Sequence, residues 1–103
     1  MNYKVIQSEQ ASNDLDEIIG YISTKLFNRT AAANFLTELS HQYSVIASQP
    51  YAYPISRDPY LASKKYRFFT VLNYIVFYTT ADKLNEVRIA RILYAHRSYN
   101  SLL

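Results

Sequence analysis

The stretch Lys65-Tyr66-Arg67-Phe68-Phe69-Thr70-Val71-Leu72-Asn73-Tyr74-Ile75-Val76-Phe77-Tyr78-Thr79-Thr80 decides the fold. Two aromatic and β-branched runs, 65–72 and 74–80, meet at Asn73, a residue type suited to a hairpin turn. Downstream, Asp82-Lys83-Leu84-Asn85 offers a second turn, and Val87-Arg88-Ile89-Ala90-Arg91-Ile92-Leu93-Tyr94 reads as the last strand. At the other end of the chain, Tyr3-Lys4-Val5-Ile6-Gln7 reads as the first strand.

Between the first strand and the hairpin the period changes. Ala11, Leu15, Ile18, Ile19, Ile22 and Leu26 form one stripe of a helix. Ser8 or Ser12 can cap its start, and Asp14, Asp16 and Glu17 lie toward the positive end of its dipole. Gly20 costs such a helix about 1 kcal/mol relative to alanine, so it reads as a close approach to a neighbouring helix. Phe27-Asn28-Arg29 makes a short connection, Thr30 is the expected cap of a second helix, and Pro50 ends it. Ala32, Phe35, Leu36, Leu39, Tyr43, Ile46 and Ala47 supply its buried stripe. A connection this short makes the helices an antiparallel hairpin. Residues 50–63 hold all three prolines and no period, and read as a long loop.

The expected fold class is therefore α+β: a helical hairpin packed on a curved, mostly antiparallel four-stranded sheet, in the order β-α-α-β-β-β. A chain of 103 residues, 50% of them apolar, suits a single domain over 1–103 with one core. The other face of the sheet is left for a partner.

Composition removes several kinds of chemistry. The lone glycine, Gly20, leaves no glycine-rich loop for a pyrophosphate. With no cysteine there is no disulfide scaffold, zinc knuckle or thiol nucleophile. His41 and His96 are too few and too far apart to suggest a metal site, so neither metal nor cofactor is expected. No apolar run reaches the ~18 residues of a membrane span, and no signal-peptide core opens the chain, so a cytoplasmic protein away from the membrane is expected.

Charge is unevenly placed. Residues 1–50 hold Lys4, Lys25 and Arg29 against Glu9, Asp14, Asp16, Glu17 and Glu38, a balance of −2. Residues 51–103 hold eight basic groups against Asp58, Asp82 and Glu86, a balance of +5, together with eight of the eleven tyrosines. A basic half interleaved with aromatic rings suits RNA, DNA or an acidic protein, although strand propensity alone also favours tyrosine. Lys64, Lys65 and Arg67 open the second strand, Arg88 and Arg91 lie on the last, and His96, Arg97 and Tyr99 follow it. Such groups can run attack of a ribose 2′-hydroxyl on its phosphodiester, with histidine or tyrosine moving protons and arginine holding the phosphate. The bland alternatives are edge-strand lysines and a structural arginine. Arg88 and Arg91, three apart in a strand, are expected on opposite faces, with one of them pairing a carboxylate such as Asp58.

Arg57-Asp58-Pro59-Tyr60-Leu61, Lys65-Tyr66-Arg67, Asn73-Tyr74-Ile75-Val76-Phe77-Tyr78 and Arg91-Ile92-Leu93-Tyr94-Ala95-His96-Arg97-Ser98-Tyr99 together resemble the RelE/ParE toxin superfamily of bacterial type II toxin–antitoxin modules. The likeness spans nearly the whole chain and includes the helix signature Ala11, Leu15, Ile18. It implies a growth-inhibiting toxin that forms a hetero-oligomer with a cognate antitoxin. RelE-like members cut mRNA in the ribosomal A site, whereas ParE-like members poison DNA gyrase.

Carried over by position, the RelE-type set gives Arg67 on the second strand and Arg97 beyond the last. Ile75 stands where those enzymes place an arginine, and Tyr99 lies a few residues early for their C-terminal tyrosine. Losing a transition-state contact of that kind costs about 3 kcal/mol. The resemblance therefore favours a ParE-like, gyrase-directed toxin, with Lys64, Lys65, Arg67, Tyr74, Arg91 and Arg97 as target- or antitoxin-binding residues. Two alternatives stay open. One is a RelE-like, metal-independent endoribonuclease using Arg67, His96, Arg97 and Tyr99. The other is a degenerate member that only binds its antitoxin.

Overall fold

A computed structural model describes residues 2–96 and 102–103. Its elements run β1 (Lys4–Gln7), α1 (Glu9–Gly20), a π-helical turn (Tyr21–Lys25), α2 (Arg29–Ser48), α3 (Pro59–Ser63), β2 (Arg67–Val71), β3 (Tyr74–Ala81), a 3-10 turn (Asp82–Leu84) and β4 (Glu86–Tyr94). The sheet order is β1-β4-β3-β2, with β1 parallel to β4 and the other pairs antiparallel. This is the α+β architecture expected from the sequence.

Local signals explain the helices. Ser8 caps α1, its Oγ accepting the Ala11 N–H at 3.0 Å. The cap of α2 is Asn28, which accepts the Ala31 N–H at 2.9 Å, so the helix starts before the expected Thr30. Within the expected loop 50–63, Asp58 caps α3 and Pro59 occupies its first turn, where a proline lacks nothing that a helix needs. Lys65 turns left-handed (φ 63°), so β2 begins at Arg67 rather than Lys65. A Cβ added at Gly20 would meet no heavy atom within 4 Å, so close helix packing is not the reason for this glycine. It stands where α1 passes into the π turn instead.

The main core lies between the hairpin and the sheet. Ala11, Ile18, Phe35, Leu39 and Ile46 meet Phe69, Val76, Tyr78, Val87, Ile89 and Ile92. The far face is not left bare. Leu61 of α3, with Leu102 and Leu103, packs on Phe77 and Leu93 there.

One irregularity changes the geometry of β4. Phe77 pairs with Arg91 but Tyr78 pairs with Ile89, so Ala90 is an extra residue, a β-bulge. Arg88 pairs with Thr79 and Arg91 with Phe77, two positions apart on β3. The expectation of opposite faces is therefore reversed: the bulge puts both arginines on the far face.

Candidate functional site

The basic residues singled out in the sequence are dispersed. Arg67 pairs with Tyr78 and so points to the helical face of the sheet. Its Nη1 donates to the Tyr53 carbonyl at 2.7 Å and its guanidinium lies 4.7 Å from the centre of the Tyr51 ring. The Tyr51 hydroxyl in turn donates to Asp82, as does that of Tyr3. Lys64 and Lys65 lie at this same end, on the turn before β2, with the Lys64 ammonium 4.9 Å over the Tyr60 ring.

Arg91 is held elsewhere. Its Nε and Nη2 donate to Asp14 at 2.8 and 2.9 Å, with both side chains largely buried. The same carboxylate accepts the Ile92 N–H at 3.0 Å. β1 pairs β4 only as far as Ile89, so the β4 edge beyond it is open, and α1 lays Asp14 against it. The hydrogen-bonded carboxylate raises the Arg91 pKa above its ordinary value. The carboxylate that Arg91 pairs is thus Asp14 and that of Arg88 is Glu86, where Asp58 was expected for one of them; Asp58 caps α3.

Tyr74 and His96 stand at the opposite end from Arg67. Tyr74 pairs with Tyr94, the rings 5.7 Å apart, and the exposed His96 ring lies 5.2 Å from that of Tyr94. The Arg67–Tyr78 row is four residues along β3 from the Tyr74–Tyr94 row, about 13 Å, and β2 and β4 are about 10 Å apart. Arg67 and His96 are thus not brought within reach of one phosphate. Ile75 faces away from both, in the far-face cluster with Phe77 and Leu93. Arg97 and Tyr99 lie outside the described residues.

What the structure does assemble is an apolar groove. Tyr21, Ile22 and Leu26 from the hairpin tip face Leu72, Tyr74 and Tyr94 across about 650 Å³. Burial raises the Tyr74 phenol above its ordinary pKa. A smaller cleft of about 170 Å³ continues along α1, between Glu17, Ile18 and Tyr21 on one side and Tyr94 on the other. The groove walls include large exposed apolar side chains, Tyr21, Leu26, Leu72 and Tyr94, a grouping that on a surface marks a place for a partner. Among the described candidate site residues named from sequence, Tyr74 alone lines this groove. Leu26 falls in the expected helix stripe and Leu72 in the expected strand run, whereas they lie at the end of the π turn and just past β2, both exposed at the groove.

Among the described residues, no helix is long and apolar enough to cross a membrane, and no group of three His, Cys, Asp or Glu side chains could hold a metal.

No curated protein sequence matches the chain. A solved structure, "Chromosomal ParDE TA system from P. aeruginosa", is similar with TM-score 0.69 at 17% identity, over 91% of this chain and 97% of that one. At that identity the likeness speaks for the fold. The family profile "ParE toxin of type II toxin-antitoxin system, parDE" matches residues 5–99. On that match, over a fold of the same kind, the chain belongs to the ParE toxin family of type II toxin–antitoxin systems.

Proposed function

We propose that the chain inhibits growth by binding DNA gyrase in the cytoplasm rather than by cutting RNA, and that a cognate antitoxin neutralises it. The observation carrying this reading is the separation of Arg67 from His96. Metal-independent cleavage needs a base, an acid and phosphate-binding cations around one scissile bond, within about 3 Å of the groups they serve. Arg67 is engaged by the Tyr53 carbonyl and the Tyr51 ring, Arg91 by Asp14, and Ile75 contributes no charge. Membership of the ParE family supports the gyrase side of the superfamily.

The apolar groove suits an amphipathic helix of the antitoxin, laid in by its apolar stripe. Lys25 and Arg29 at the hairpin tip favour acidic residues at that end of the helix, since no Asp or Glu occurs between Glu17 and Glu38. The toxin and its antitoxin then form a hetero-oligomer.

Inducing the chain in a bacterial host without antitoxin tests the reading. The expected result is cleaved DNA and altered supercoiling with intact message. New mRNA 5′ ends inside translated codons, with supercoiling unchanged, would replace the gyrase reading by the nuclease one. No growth defect would leave only an antitoxin-binding protein.

A further inference from the structure

The cleft beyond the groove differs from it in charge. Both are walled by Tyr21, Tyr74 and Tyr94, but the cleft adds Asp14 and Glu17 of α1. The three rings come from the π turn, β3 and β4. Those of Tyr74 and Tyr94 meet edge to face at 5.7 Å, and burial, then the Tyr21 and Tyr94 phenols, raise the Tyr74 pKa. At about 170 Å³ the cleft takes one long side chain, not a helix.

Its two carboxylates are not equivalent. Asp14 is engaged by the Arg91 guanidinium and the Ile92 amide. Glu17 is exposed and enters no ion pair among the described residues. Where the Asp14 hydrogen bond raises the Arg91 pKa, Glu17 adds to it only through space. Two carboxylates facing one guanidinium leave one negative charge uncompensated, beside three electron-rich rings. Such a setting attracts a cation through the ring quadrupoles and through plain Coulomb attraction.

The opposite end of the molecule shows the same set with its cation in place. There the Arg67 guanidinium lies 4.7 Å from the centre of the Tyr51 ring, and the Tyr51 hydroxyl donates to Asp82. Among the described residues, no cation of the chain lies over Tyr21, Tyr74 or Tyr94. A planar guanidinium suits the cleft better than an ammonium, because it stacks on a ring while its N–H edge reaches a carboxylate.

We infer that the cleft takes the guanidinium of an arginine side chain presented by a protein partner, stacked against the tyrosines and paired with Glu17. A consequence rests on the antitoxin reading above. Glu17 and Lys25 are eight residues apart, about two helical turns. An antitoxin helix in the groove then carries its arginine about two turns from the acidic residues that meet Lys25 and Arg29, so charge sets which way the helix lies.

Ring and amide NMR of the full chain, titrated with N-acetyl-arginine amide, tests the site. Resonances of Tyr21, Tyr74, Tyr94 and the Glu17 amide should move together and saturate in the millimolar range. The citrulline analogue, alike in shape but neutral, should bind at least about tenfold more weakly. Glu17→Gln should weaken the arginine probe about threefold or more. Tyr21→Ala should weaken it too, whereas Tyr21→Phe, which keeps the ring, should not. Thermal melts of the variants separate a lost site from a lost fold. No saturable shift, or equal binding of the two probes, overturns the inference. So does arginine binding that is indifferent to Glu17→Gln or confined to Tyr51 and Tyr60. Binding seen only in Arg97→Ala would give the cleft to the chain's own arginine and overturn it as a partner site. Antitoxin affinity is read separately on the same proteins. Arginine binding lost in Glu17→Gln, with antitoxin binding at full strength, upholds the cleft and contradicts only its use by the antitoxin.

Discussion

Asp14 and Arg91, 77 residues apart in sequence, close the open edge of β4: one carboxylate takes two guanidinium N–H groups and the Ile92 amide. Both side chains are shielded, 11% and 13% exposed, so neither is easily satisfied by water when the other is removed. Breaking such a pair from one side costs about 3–5 kcal/mol, whereas replacing both partners with apolar groups is far milder. Asp14→Ala should therefore lower stability by about 3 kcal/mol in urea denaturation. Asp14→Leu combined with Arg91→Met should recover much of that, less the amide left unpaired at Ile92. A single-site loss below about 1 kcal/mol would mean that the pair is solvated.

The start of α2 gives a sharper local contrast. Asn28 makes the capping bond and Thr30 lies inside the first turn. Asn28→Ala should cost about 1 kcal/mol, and Thr30→Ala only a few tenths. Equal losses at the two positions would restore Thr30 as the cap.

Two phenols bind stability to alkaline pH. Burial raises Tyr78 from 10.0 to about 12, and raises Tyr43 further. The Tyr78 hydroxyl donates to the Pro50 carbonyl at 2.9 Å, and that of Tyr43 to Gln7 at 2.6 Å. Both groups hold their protons longer folded than unfolded. Their contribution is complete below pH 10; that of Tyr78 is lost as pH rises from 10 through about 12, and that of Tyr43 goes on falling beyond it. Denaturation midpoints measured across that window should fall, and Tyr43→Phe with Tyr78→Phe should flatten the decline. An unchanged slope in the double variant would place its origin elsewhere.

Arg67 separates structure from chemistry. Arg67→Lys keeps the charge but loses the planar fork that reaches Tyr53 while covering Tyr51. Stability should fall by about 1 kcal/mol, with growth inhibition falling only as the folded fraction does. A drop of about a hundredfold in activity at full folding would instead mark Arg67 as a transition-state contact.

The periodic signals explain why so much of the fold was legible. The stripe from Ala11 to Leu26 and the β-branched runs around Asn73 depend on one residue's neighbours alone. Asp58-Pro59 also carried a helix-start signal, an acidic cap followed by a proline, but three prolines within 50–63 drew the reading toward a loop. The bulge at Ala90 was beyond reach, because an extra residue shows only against its partner strand. So was Asp14, whose role depends on a strand edge exposed where β1 stops. The groove was missed for the same reason: Leu26, Leu72 and Tyr94 are distant in sequence and adjacent only at the hairpin end of the sheet.

The most direct measurement is a supercoiling assay with the purified chain and purified bacterial gyrase, run beside a translating ribosome reaction on a defined message. The account predicts that supercoiling stops and cleaved DNA accumulates with increasing chain, while the message stays whole. Uninhibited gyrase beside a message cut within its codons would contradict it.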